Sequence, residues 1–166
     1  MTDRVTIRLA APGDDHPRAA LLAPGYRCAP ETLITEAAEI RHRFGSFGDL
    51  APGVVAWVAE DEGRIIATAE ATVRLHANGC ETLRVLFIEG IAVADDHRRG
   101  GVARVLMTAI ELWAREQGIA EIASDVHADD VMARDWHRAL GFTETETVVC
   151  LRRPVMERRD QPSSRS

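Results

Sequence analysis

The chain has 166 residues, enough for one domain with a useful core and too few for two ordinary ones. Hydrophobic residues make up 46% and charged residues 28%, a globular balance, and no apolar run approaches the ~18 residues of a membrane span. A formal charge of −6 and a pI near 5.5 argue against general nucleic-acid binding, which needs a basic face, and suit either a cationic ligand or plain solubility. The opening MTDRVTIRLAAPGDD lacks the apolar stretch of a secretory signal, so a cytoplasmic location is expected. Cys28, Cys80 and Cys150 are widely spaced and odd in number; no disulfide framework and no metal site are expected from them.

Residues 5–9 (VTIRL) alternate and predict a first strand. Residues 14–23 predict a short helix that stops near APGY. A second helix is expected from about Glu31, because Leu33, Ala37, Ile40 and Phe44 fall on one face. FGSFGDLAPG (44–53) reads as a glycine-rich loop. Three strands follow, VVAWVAE (54–60), RIIATAEATVRL (64–75) and TLRVLFIEGIAV (82–93). They are joined by DEG and by HANG (76–79), where Asn-Gly is a hairpin signal. The last of the three is long and apolar, which suggests a central place in the sheet. Val102, Val105, Leu106, Ala109, Ile110 and Trp113 then recur at helical spacing, and Gly118 closes that helix. A strand over 119–126, a helix over 130–140 stopped by Gly141, and a final strand TETETVVCLRR (143–153) complete a single domain over 1–153. Residues 154–166 have the composition of a flexible tail. The class is α/β (α+β), with a mixed central sheet and flanking helices.

The most informative stretch is DDHRRGGVARVL (95–106). Adjacent glycines interrupt an otherwise good helix start, which costs stability unless bare backbone is needed there. Amides at a helix N-terminus attract anions, so a phosphate cradle is one reading and a basic helix start with a turn is the other. Neither a Gly-Lys-Ser/Thr loop nor a dinucleotide fingerprint is present. One strand earlier, Glu89-Gly90 breaks an apolar run, which suggests a bulge or a close backbone approach. Glu89 is the only charge between Arg84 and Asp95; it either has a function or points to solvent.

The pattern Arg98-x-x-Gly101-x-Ala103, between a long strand and an amphipathic helix and with Leu140-Gly141-Phe142 downstream, resembles the GNAT superfamily of N-acetyltransferases. FIEGIAV, ELWAREQG, ASD, HRALGF and ETETVVCLRR together are similar to aminoglycoside 6′-N-acetyltransferases within it. The resemblance implies the acyl-CoA N-acyltransferase fold with splayed central strands, and direct acetyl transfer from acetyl-CoA to an amine in a ternary complex. It implies that Arg98, Arg99, Gly100, Gly101, Val102, Ala103 and Arg104 hold the pyrophosphate. The backbone of Ile91, Ala92 and Val93 would pair with the pantetheine arm. Glu89, Asp125 and Glu146 would bind the cationic acceptor, with His76 at a further substrate position, and pairing of two copies through the C-terminal strand is implied as well. An ammonium must lose a proton before it can attack a thioester, so Asp125 is the first base candidate and Glu89 the second. Asp125 reads alternatively as a strand-end cap. His137 stands where many relatives carry an acidic tyrosine; it either donates a proton or packs beside Trp136. Residues 19–30 lack the tryptophan of the family's aromatic drug-stacking segment, Tyr26 is the only tyrosine, and Ala92 stands where the family carries an aromatic residue. A GNAT enzyme for a polyamine, peptide or metabolite, or a non-catalytic acyl-CoA-binding module, therefore stays open beside the antibiotic reading.

Overall fold

Period-two alternation builds a five-stranded sheet in the computed structural model, which describes residues 4–36 and 54–154. The strands are β1 (Thr6–Leu9), β2 (Val55–Asp61), β3 (Arg64–Arg74), β4 (Val85–Val93) and β5 (Glu121–Ala123), and they lie in that order across the sheet. The first four pair antiparallel, β2 and β3 through a tight turn, while the chain between β1 and β2 carries helix α1 (Asp15–Tyr26). β5 runs parallel to β4, because helix α3 (Val102–Glu116) carries the chain back between them. The remaining helices are α2, whose described residues are 30–36, and α4 (Val131–Ala139). The expected loop at 44–53, and the tail from residue 155 on, lie outside the described residues.

The core lies between the sheet and α3. Val102, Leu106, Met107, Ile110 and Ala114 form the buried stripe of α3. They meet Ala67, Ala69 and Ala71 of β3 and Leu86 and Ile88 of β4. Three alanines at alternate positions let the helix settle close to the sheet, and Trp57 meets Trp113 edge to face at 5.5 Å. Helix α1 covers the opposite face, with Ala19, Leu22 and Ala23 buried.

The expected bulge in β4 is present. Glu70 pairs with Gly90 and Ala71 with Ile88, which leaves Glu89 as the extra residue. The insertion re-phases the strand: Leu86 and Ile88 before it, and Ile91 and Val93 after it, all join the same core. Gly90 faces α1, where an added Cβ would lie 3.0 Å from Leu22 Cδ2 and 3.1 Å from the Tyr26 hydroxyl. A glycine suits this position because the helix presses on the strand and a side chain would push Leu22 and Tyr26 back.

Three elements differ from expectation. Helix α1 runs through APGY to Tyr26 and ends at Arg27, with φ 54°. Pro24 removes only one amide near the helix end, and the contacts of Leu22 and Tyr26 at Gly90 hold the last turn. Strand β5 is shorter than the apolar run, because β4 diverges from it after three pairs. Segment 143–153 is not a strand: among the described residues it has no sheet partner, and Val149 and Leu151 are 85% and 92% exposed. Its alternating pattern finds no edge to pair with among the described residues. No helix among the described residues is long and apolar enough to cross a membrane.

Candidate active site

The sheet forks between β4 and β5. Pairing runs Val85↔Glu121, Leu86↔Ile122, Phe87↔Ala123 and then stops. Beyond it, Ile91, Ala92 and Val93 pair with β3 through Ala69, Thr68 and Ala67 on one side only. Among the described residues no strand covers their other side. A half-buried edge with open hydrogen-bonding positions is what an extended polar ligand needs in order to add itself as a strand.

The glycine turn stands at the mouth of this fork. Arg99 and Gly101 take positive φ, 61° and 83°, and Gly101 is the N-cap of α3. Adding a Cβ to Gly100 would bring it within 3.3 Å of the His97 carbonyl oxygen. The amides of Arg104 and Val105 already donate to Gly101 O, at 3.0 and 3.2 Å. Those of Gly101, Val102 and Ala103 find no backbone acceptor among the described residues, as the first turn of a helix dictates. Arg98 pairs with Asp95 at 2.8 Å, whereas Arg104 reaches across to the Ala139 carbonyl of α4 at 3.2 Å. Arg104 thus ties two helices together and keeps its charge, and Arg99 has no ion-pair partner among the described residues. Free amides, a left-handed glycine and a nearby guanidinium suit a pyrophosphate. A salt-linked strip braces the turn from below. Arg64 binds Asp96 at 2.6 Å, and the carboxyl of Asp96, beside this guanidinium and His97, sits well below the usual range.

Glu89 projects from the bulge and is already engaged. Arg74 Nη2 lies 2.7 and 2.8 Å from its two oxygens, and the Thr72 hydroxyl donates to Oε1. Arg74 is itself stacked 3.5 Å above the Phe87 ring centroid. Behind the bulge, the Tyr26 hydroxyl lies 2.9 Å from Glu70 Oε1 and 3.1 Å from Glu89 O. Arg18 binds the same Glu70 at 3.0 Å. Burial, with the neighbouring Glu70 carboxylate, pushes the Tyr26 phenol far above its ordinary value, so it serves as a neutral brace.

Asp125 lies two residues past β5, exposed, with no hydrogen-bond or ion-pair partner among the described residues. His137 projects from α4 toward the same fork. Its Nδ1 is 2.8 Å from Ala133 O and its Nε2 3.3 Å from Ser124 Oγ. It also packs edge-on against Trp136 and Phe142, at 5.1 and 5.3 Å. The packing beside Trp136 is therefore present, and both ring nitrogens have polar neighbours besides. Glu146 and His76 are both exposed. Thr145 rests directly on the Gly79 backbone, which brings the segment carrying Glu146 beside the HANG turn. Ser124 was not singled out from the sequence. A serine at a strand end carries no signal of its own; its place next to the last β4–β5 pair does. Among the described residues no group of His, Cys, Asp and Glu could hold a metal ion.

The model of the acetyltransferase (GNAT) family matches residues 22–142, an interval that contains the fork, the bulge, the glycine turn and the LGF end of α4. The chain belongs to the GNAT acetyltransferase family. This GNAT chain is 45% identical over 93 residues to an aminoglycoside N(6′)-acetyltransferase type 1 of Acinetobacter haemolyticus, a match over 55% of this chain and 64% of that one. It is 37% identical over 101 residues to the enzyme of the same name from Salmonella typhimurium, over 60% and 70% of the two chains. Among solved structures it resembles the apo aminoglycoside antibiotic 6′-N-acetyltransferase of Acinetobacter haemolyticus. The TM-score is 0.74 and the identity 30%, over 91% of this chain and 99% of that one. An AAC(6′)-Iy enzyme solved with the bisubstrate analogue CoA-S-monomethyl-acetylneamine gives the same four values. The GNAT chain falls within the aminoglycoside 6′-N-acetyltransferase group and is an acetyl-CoA-dependent N-acetyltransferase.

Proposed function

We propose that this GNAT enzyme transfers acetyl from acetyl-CoA to the 6′-amine of an aminoglycoside antibiotic. The carrying observation is the fork itself: an open β4 edge, free amides at the head of α3, and an unpaired carboxylate, Asp125, just past the end of β5. The pyrophosphate takes the amides of Gly101 to Ala103, with Gly100 giving clearance and Arg98 and Arg99 giving charge. The pantetheine arm pairs with Ile91, Ala92 and Val93, and an amide there polarises the thioester carbonyl. Asp125 binds the acceptor ammonium and takes its proton, directly or through water. Glu89 meets the cation only in exchange for Arg74, which makes it a binding group rather than the base. Glu146 and His76 contact the distal sugar. His137 supplies the proton that the departing thiolate needs.

The working unit is a homodimer. Segment 143–153 is extended and without a sheet partner, with Val148, Val149 and Leu151 exposed, and β5 pairs only with β4 among the described residues. Sedimentation at micromolar concentration should give twice the chain mass; a monomer there overturns the dimer. The cytoplasm is the working compartment, since acetyl-CoA is charged and does not cross membranes unaided.

One observation favours a different acceptor. The only tyrosine, Tyr26, is braced against Gly90 and Glu70 and cannot stack on a sugar ring. The reading is tested by CoA release with kanamycin, tobramycin and gentamicin beside spermidine and short peptides. Turnover confined to drugs bearing a 6′-amine supports it. Turnover with polyamines or peptides alone replaces it with another amine acetyltransferase, and tight acetyl-CoA binding without any turnover leaves an acyl-CoA-binding module.

A further inference from the structure

The geometry points to Ser124 as the residue that hands a proton to the departing CoA thiolate, with His137 behind it as the positioning residue that recharges it. This rests on the reading above that the thioester lies in the β4–β5 fork. Ser124 is the first residue beyond the last pair, Phe87↔Ala123. Its hydroxyl oxygen lies 3.4 Å from Ile88 O on β4 and 3.3 Å from His137 Nε2 on α4. It therefore stands at the apex of the fork, on the β5 arm and in contact with the β4 arm, with α4 behind it.

The tautomer follows from the partners. A carbonyl oxygen only accepts, so Nδ1, 2.8 Å from Ala133 O, must carry hydrogen. Nε2 is left facing Ser124. In the neutral ring Nε2 accepts the serine hydroxyl. In the imidazolium Nε2–H donates to Oγ, and the serine hydrogen turns outward, toward Ile88 O and the fork. The ring's other neighbours are Trp136 and Phe142. Among the charged groups near it, Arg134 and Arg138 are engaged with Glu144, and Arg138 also with Asp135. Asp125 is the chain neighbour of Ser124 on the solvent side.

The step balances. The amine nitrogen bonds to the carbonyl carbon, and the C–S pair leaves on sulfur. Sulfur takes the Ser124 hydroxyl proton, and Oγ takes the proton from His137 Nε2. The imidazole ends neutral with hydrogen on Nδ1 and regains a proton from water, while the acceptor's surplus protons leave through Asp125 and solvent.

Ser124→Ala should lower kcat about tenfold, at the weak end for acid catalysis because a thiolate leaves readily. Its melting temperature and acetyl-CoA Kd should match the parent. Ser124→Thr should restore most of kcat, and adding His137→Phe to Ser124→Ala should cost nothing further. Unchanged kcat in Ser124→Ala, a threonine variant as slow as the alanine one, or losses that multiply would each overturn the relay. A second measurement needs no acceptor. The ¹⁵N resonance of His137 Nε2 should respond to CoA, not to desulfo-CoA, and to neither in Ser124→Ala. A response that persists without the sulfur or without the hydroxyl overturns the relay. If this response holds while no amine is acetylated, the acceptor reading fails and the relay stands.

Discussion

Arg74 grips both oxygens of Glu89, at 2.7 and 2.8 Å, and lies flat over Phe87 while doing so. The pair neutralises the carboxylate that the bulge presents, and an incoming cation must displace it. Arg74→Met should therefore lower KM for polycationic acceptors roughly fivefold, the equivalent of about 1 kcal/mol for one partly exposed ion pair. Glu89→Gln should raise KM with little change in kcat. Steady-state kinetics on both variants checks this, and a Glu89→Gln enzyme whose kcat collapses would make Glu89 the base.

Asp125, two residues past β5, is exposed and has no hydrogen-bond or ion-pair partner among the described residues. Asp125→Asn should cut kcat by about a hundredfold, the usual scale for loss of a general base. Calorimetric affinity for acetyl-CoA should not move. Equal loss of turnover and affinity would remove Asp125 from proton transfer.

Gly101 sits at φ 83° at the head of α3. Gly101→Glu combines backbone strain with a negative charge where a pyrophosphate belongs, and should abolish acetyl-CoA binding in titration calorimetry. Gly101→Ala carries the strain alone and should weaken binding by about tenfold or less, roughly 1 kcal/mol of strain. Full affinity in the glutamate variant would place the cradle elsewhere.

Asp14 is bound by Arg8 at 2.6 Å and accepts the Ala11 amide at 2.7 Å, which holds its carboxyl down at about 2 from an ordinary 3.8. The folded value lies below the unfolded one, so the contribution is full above about 4 and is lost as pH falls through 2. Urea unfolding from pH 6 to pH 2 should show this acid loss, and Asp14→Asn should flatten it. The same variant should lose on the order of 1 kcal/mol at pH 7.

What the sequence discloses here is whatever depends on local chemistry. Glu89-Gly90 announces a bulge because a charge and a glycine together are foreign to a buried strand, and Gly100-Gly101 announces a turn for the same reason. The stripe of α3 is plain from its period. What stays hidden depends on distant partners. Nothing in TETETVVCLRR says that it will lack a sheet partner among the described residues. Nothing near Pro24 says that contacts at Gly90 will carry α1 past it. The Arg74–Glu89 pair is 15 residues apart in sequence and exists because Arg74, opposite Val85 in the antiparallel register, reaches along β4 over Phe87 to the bulge. Ser124 becomes visible only once the fork is seen to open beside it.

The bracing of Tyr26 also bears on solution conditions. Trp57 and Trp113 are packed on each other, Trp136 lies against His137, and Tyr26 is fastened to Glu70. With these rings engaged, the proposed acceptor contacts rest chiefly on carboxylates. Attraction between exposed charges fades as the Debye length shrinks from about 10 Å at 0.1 M salt to about 3 Å at 1 M. The enzyme should thus lose its acceptor steeply as ionic strength rises, while an enzyme that stacks aromatic rings on the sugar would hold it.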